Sequence, residues 1–199
     1  MAHLRPDVEL VDVGLAHEGS GPGPESVPPS APESTAGSAA VREPRIARLR
    51  AEVSVLAPRA DQVRFSGRAS VTLPVADSDP FRTPYAVVHD GRAVGFGVLD
   101  AQGYPDELAG EARPAVVLRS FYIGARWQGR GFGGAAIREL PRVAAKLAPD
   151  AGVLLLTVNV RNTDAVRAYL AGGFVDEGRL YLGGGAGPQH VLRRELADF

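Results

Sequence analysis

Gly129-Arg130-Gly131-Phe132-Gly133-Gly134 places four glycines between an apolar run and an amphipathic one, and this limits what the chain can fold into more than any other feature. A strand has to end there, the backbone has to turn with little side-chain cover, and a helix has to begin. The strand is the run Ala115 to Ile123, and the helix is the pattern in which Ala136, Leu140, Val143, Ala144 and Leu147 share one face. Pro141 lies inside that pattern and is expected to kink the helix. Uncovered backbone N–H groups beside a positive helix end attract an anion such as pyrophosphate. A plain surface loop stays open as the other reading, because Gly 24 and Pro 16 make glycine and proline abundant throughout the 199 residues.

Spacing separates the kinds of phosphate loop. An ATP or GTP loop needs Lys followed by Ser or Thr after its last glycine, and the only lysine here is Lys146. A dinucleotide fingerprint is matched literally by Gly129, Gly131 and Gly134. It also needs an acid at the end of the next strand, where this chain has Asn159-Val160-Arg161, and its preceding strand ends too early, near Ile123.

The rest of the chain predicts an α+β order. Val8, Leu10, Val11 and Val13 form a short strand in a segment 1–16. Residues 17–40 hold five Pro, four Gly and five Ser, with Val27 the only large apolar side chain, so they read as a disordered linker or insertion. Residues 41–199 are the core unit. It opens on a helix with Ile46, Leu49, Val53 and Leu56 on one face, followed by two strands meeting at His89-Asp90-Gly91, a tight-turn sequence. After the glycine stretch come a strand over Val153 to Val160 and a helix from Thr163 to Ala171 capped by Asn162. Gly172-Gly173 stops that helix, and the last strands lie near Phe174 to Leu182 and His190 to Leu196.

The absence of cysteine excludes disulfides, thiolate metal sites and an acyl-cysteine intermediate. Four scattered histidines show no metal-ligand spacing, so no metal is expected. A net charge of −1 argues against nucleic-acid binding, and no run of apolar residues approaches a membrane span. With no apolar signal core after Met1, the expected location is cytoplasmic.

Leu118-Arg119-Ser120-Phe121-Tyr122-Ile123 followed by Gln128-x-x-Gly131-x-Gly133 resembles the acyl-CoA motif of the GNAT N-acetyltransferases. Asn162-x-x-Ala165-x-x-x-Tyr169, closing on Gly173-Phe174, is similar to that superfamily's second motif, and the resemblance covers about residues 44 to 198. It implies a GNAT acyltransferase fold, a central mixed and mostly antiparallel twisted sheet flanked by helices. It also implies acetyl-CoA as cosubstrate, with the backbone of Phe121, Tyr122 and Ile123 pairing with the pantetheine arm. The amides of Gln128, Gly129, Arg130, Gly131, Phe132, Gly133 and Gly134 would hold the pyrophosphate, and Asn162 would contact the cofactor. Capping of its own helix is an equally ordinary role for Asn162, and both can hold at once.

Acyl transfer from a thioester to an amine needs a neutral amine, support for the oxyanion and a proton for the departing thiolate. The resemblance assigns the proton to Tyr169, a phenol protonated at neutral pH, whose other role is packing against Ala165. The base is water or His190. The pattern Gln62-x-x-Phe65 and the strand pair with Gly95-Phe96 look most similar to bacterial spermine/spermidine and diamine N-acetyltransferases. The expected reaction is therefore direct, ternary-complex acetylation of a primary amine on a small molecule, with polyamines among the acceptors and a homodimer among the assemblies. Asp77, Asp79, Asp106 and Glu107 are the carboxylates available to a polyamine. Where that subgroup tends to carry an acidic Gly-Glu, this chain has Pro188-Gln189-His190, so an aminoglycoside-like antibiotic or a protein amine stays open as acceptor, as does a CoA-binding module without chemistry.

Overall fold

The computed structural model describes residues 6–15, 35–102, 108 and 114–197, with 35–41 as backbone only. Among the described residues the order is β1 (Glu9–Asp12), α1 (Thr35–Val55), α2 (Ala69–Asp77), β2 (Arg82–His89), β3 (Arg92–Asp100) and β4 (Ala115–Ile123). It continues with α3 (Phe132–Leu147), β5 (Val153–Asn159), α4 (Thr163–Ala171), β6 (Val175–Tyr181) and β7 (Gln189–Glu195). The strands make one sheet in the order β1-β2-β3-β4-β5-β7-β6. Every neighbouring pair is antiparallel except β4 and β5. This is the mixed, mostly antiparallel sheet that the motifs imply.

Local chemistry accounts for the main joints. Asp90 and Gly91 both adopt positive φ, 48° and 73°, which closes β2 and β3 through a two-residue turn whose twist matches the strands. Val94, Phe96 and Leu99 of β3 are fully buried, as expected for a strand covered on both faces. One face carries α1 and α2, whose Leu49, Val53, Ala69, Leu73 and Ala76 pack with Ala86, Phe96, Val98 and Tyr122. The Tyr122 hydroxyl donates to the Leu56 carbonyl at 3.1 Å and accepts from the Ala69 N–H at 2.9 Å, pinning the end of one helix and the start of the next. The other face carries α3, with Ile137, Leu140 and Ala144 against Val116, Leu118, Leu154 and Leu156. Burial of each such Leu or Ile contributes about 1.5–3 kcal/mol.

Three features differ from the sequence reading. Helix α1 begins at Thr35, six residues inside the stretch read as linker. The six residues Thr35-Ala36-Gly37-Ser38-Ala39-Ala40 include three alanines, and alanine's high helix propensity extends a helix whose later turns are anchored by packing. Residues 17–34 of that stretch lie outside the described residues. Helix α2 was not anticipated: Pro74 inside it obscures the i, i+4, i+7 spacing of Ala69, Leu73 and Ala76. Asn162 precedes α4 as expected, but its side chain makes no capping hydrogen bond.

Candidate active site

The site begins where two parallel strands part. β4 and β5 pair only from Ala115 opposite Val153 to Leu118 opposite Leu156. Beyond that, β5 continues to pair with β7 as far as Asn159 opposite Gln189, while residues 119–123 of β4 face no partner on that side. A bulge in β4 lies where the two strands separate. Ser120 has φ 53°, costly for a residue with a side chain, and the register against β3 shifts between Phe96 and Val98. The divergence leaves a backbone edge open to an extended ligand.

At the end of that edge the chain turns through Ala125–Trp127 and enters the glycine stretch. Gly129 has φ 76° and Gly131 φ 85°, a conformation that glycine adopts without steric cost. Gly131 also begins α3 with no side-chain cap, and no acid occupies the first turn. The amides of Phe132, Gly133 and Gly134 thus carry the unsatisfied donors and positive potential of a helix start. Glycine at 133 and 134 is not demanded by crowding, since a Cβ there would meet its nearest neighbours at 3.5 Å.

A cavity of about 430 Å³ joins these parts. Its walls include Phe121, Tyr122, Ile123, Gln128, Gly129, Gly131, Phe132, Gly133, Gly134, Asn162 and Tyr169, which is every position the resemblance assigns to the cofactor or the acid except Arg130. The Arg130 guanidinium instead lies 5.2 Å from the Trp127 ring centroid, in a neighbouring depression shared with Arg92 and Arg126. An exposed arginine gains more from an aromatic face than from a glycine loop that offers it no acceptor. Gln128 is tied down: its Nε2 donates to the Ile123 carbonyl at 2.9 Å and to Gln62 Oε1 at 2.7 Å. Tyr122 contributes backbone to the cavity, its hydroxyl being held by α1 and α2 as described.

Tyr169 is 7% exposed and packs between Phe121, at 6.3 Å, and Phe174, at 5.6 Å between ring centroids. Burial pushes its phenol well above the ordinary tyrosine pKa. Packing and cavity lining, posed as alternatives by the sequence, coexist in this residue. Its hydroxyl makes no hydrogen bond to the described residues.

The opposite wall comes from the α1–α2 connection: Pro58, Arg59, Gln62, Phe65 and Ser66. Of these only Gln62 and Phe65 had a sequence signal. The rest lie in an irregular segment with neither period nor motif. The carboxylates set aside for a polyamine are elsewhere or unseen. Asp77 is bonded to Arg50, with Oδ1 3.1 Å from Nη1, and Asp79 lies 3.0 Å from Arg82, both at the far end of α2. Asp106 and Glu107 lie outside the described residues. His190 is also displaced from the candidate base role. Its Nδ1 sits 2.9 Å from Asp176 Oδ2, and it points to the sheet face opposite that of its neighbour Gln189. Among the described residues no cluster of three or more His, Asp or Glu is placed to hold a metal ion, and no helix is long and apolar enough to cross a membrane.

Comparison with known proteins agrees with this architecture. Residues 51–174 match the model of the Acetyltransferase (GNAT) family, and the chain belongs to that family. It is 30% identical over 138 residues to the uncharacterized N-acetyltransferase YbbJ of Bacillus subtilis (strain 168), covering 68% of this chain and 84% of that protein. Among solved structures, the aminoglycoside acetyltransferase AAC(6')-Ib in complex with coenzyme A aligns with TM-score 0.58 and 20% identity over 75% of this chain and 88% of the other. The spermidine N-acetyltransferase of Vibrio cholerae, in complex with CoA and spermine, aligns with TM-score 0.56 and 16% identity over 74% and 89%. At these identities the structural likeness establishes the fold.

Proposed function

We propose that the protein transfers an acetyl group from acetyl-CoA to a primary amine of a small molecule by direct attack within a ternary complex. One observation carries this reading: the open edge of β4, the uncapped amides at the start of α3 and the Tyr169 phenol line a single cavity. The residues suit the cosubstrate part by part. Residues Phe121 to Ile123 offer unpaired backbone to the amides of the pantetheine arm, the donors at Gly131 to Gly134 face the pyrophosphate, and Asn162, uncommitted to capping, borders the same space.

The neutral amine attacks the thioester carbonyl, so that a C–N bond forms and the C–S bond breaks. The amine nitrogen gives up a proton to water, and the Tyr169 hydroxyl donates one to the departing thiolate. A phenol held above its ordinary pKa stays protonated throughout the working pH range, the state an acid needs. The chain has no cysteine to carry an acyl intermediate, which favours the direct route.

Calorimetry with acetyl-CoA, together with thiol release across a panel of amines, tests the reading. Binding followed by amine-dependent thiol release is expected. Saturable binding with no release for any amine identifies a silent CoA-binding module, and absence of binding refutes the cofactor site.

A further inference from the structure

A second cavity, of about 440 Å³, abuts the first through Phe65, which lines both. Its other walls are Arg64, Asn159, Gly185, Ala186 and Gln189, drawn from the α1–α2 connection, the end of β5, the β6–β7 connection and the first residue of β7. No residue of the glycine loop lines it, so in the acetyltransferase reading it is the space left for the acceptor amine. The charge of this mouth is one-sided. Among the described residues no carboxylate lines it, and the Arg64 guanidinium is held 4.7 Å from the centroid of the Phe65 ring with no ion-pair partner. Three described acids on the elements around the two cavities are already engaged: Asp61 faces Arg59 at 3.5 Å, Asp164 is bonded to Arg167 at 2.7 Å, and Asp176 is 2.9 Å from His190. The Asn159 amide is also occupied, donating to the Ala186 carbonyl at 2.9 Å and accepting from the Arg161 N–H at 3.0 Å.

Building on the acetyltransferase reading, we propose that the acceptor is an amine carrying an acidic group, a carboxylate or a phosphate, a few bonds from the reacting nitrogen, and that Arg64 receives that group. A guanidinium braced on an aromatic face presents a planar fork matched to two acidic oxygens. Gln189 adds a side-chain amide on the same wall. A polyamine or aminoglycoside, by contrast, would bring further ammonium groups against an arginine that no described acid neutralises.

Matched acceptors test this with the full chain: 4-aminobutyrate, 1-aminobutane and 1,4-diaminobutane for the carboxylate, and 2-aminoethyl phosphate against 2-aminoethanol for the phosphate. Thiol release gives kcat/KM, and calorimetry on the CoA-loaded protein gives acceptor affinity. At least one acidic acceptor is expected to exceed its neutral partner by about tenfold in kcat/KM or affinity, with the diamine lowest. Arg64→Gln should erase that advantage through KM, and Arg64→Asp should reverse the order in favour of the diamine. Because Arg64 is exposed, both variants are expected to fold, which circular dichroism checks. If the wild type prefers the diamine, or treats acidic and neutral partners alike while still binding acetyl-CoA, the acidic acceptor is wrong and the acetyltransferase reading stands. Loss of acetyl-CoA binding itself would overturn both. An advantage of either acidic series that survives Arg64→Gln overturns the assignment to Arg64.

Discussion

In the acetyltransferase reading proposed above, the two halves of the site are built differently. The cofactor half is mostly backbone: a strand edge exposed by a bulge and a helix start stripped of side chains, contributed by one continuous stretch from Ser120 to Gly134. The proposed acceptor half is mostly side chain, with Arg59, Gln62, Arg64, Phe65, Asn159 and Gln189 coming from three segments far apart in the sequence. The contrast follows from the ligands. A cosubstrate common to a whole family can be held by groups every residue possesses, whereas an acceptor peculiar to one protein has to be read by particular side chains. Tyr169 stands between the halves, and Gln62 with Gln128 joins them by one hydrogen bond of 2.7 Å.

Four substitutions or measurements would break or sharpen that contrast. The largest effect belongs to the residue serving both halves. Tyr169→Phe should lower kcat by about 100-fold, the lower range for loss of a general acid, with acetyl-CoA affinity retained in calorimetry. A kcat within twofold of the wild type would leave Tyr169 a packing residue.

Next comes damage confined to the cofactor half. Gly131→Val places a β-branched residue at φ 85° and brings its Cβ to 3.2 Å from Pro6, so acetyl-CoA affinity should fall by about tenfold or more while unfolding stays cooperative. Unchanged affinity would show that the loop amides are not the anchor.

A smaller effect is expected at the joint. Gln128→Ala removes hydrogen bonds to Ile123 and Gln62, worth about 1 kcal/mol each, and should raise KM several-fold for both substrates together. A rise for one substrate alone would mean that the two halves are not coupled through this pair.

The smallest effect is in the pH profile. Deprotonation removes a general acid, and burial raises the Tyr169 pKa, so the alkaline loss of activity moves upward. The kcat–pH profile should show no falling limb below about pH 10, the ordinary phenol value, and should rise toward alkaline pH as the acceptor amine loses its proton. A falling limb near pH 8 would point to a different acid.

Legibility in the sequence tracked the same division. The end of β4 at Ile123, the turn at Asp90-Gly91 and the glycine loop were visible because each depends on local backbone chemistry within a few residues. Helix α2 was hidden by Pro74 and a short apolar pattern, and the helical turns before Val41 by a composition that reads as linker. For Arg130 the spacing locates the amide in the loop but says nothing of the side chain, which lies over Trp127. The candidate carboxylates Asp77 and Asp79 failed for a similar reason: charge is visible in a sequence, but the arginines that neutralise it, Arg50 and Arg82, are neighbours only after folding.

By itself the sequence determined the strand–loop–helix that suits a pyrophosphate, the tyrosine position eight residues into the second motif region, and the absence of any cysteine route. These follow from residue type and short-range spacing. Only the tertiary structure decided that β4 and β5 separate after Leu118, that Tyr169 is buried yet lines the first cavity, and that the second cavity is lined by Arg64, which has no ion-pair partner among the described residues, and by no described acid. Those properties depend on which distant segments the sheet brings together, and the sheet order is set by burial of its two faces rather than by any local signal.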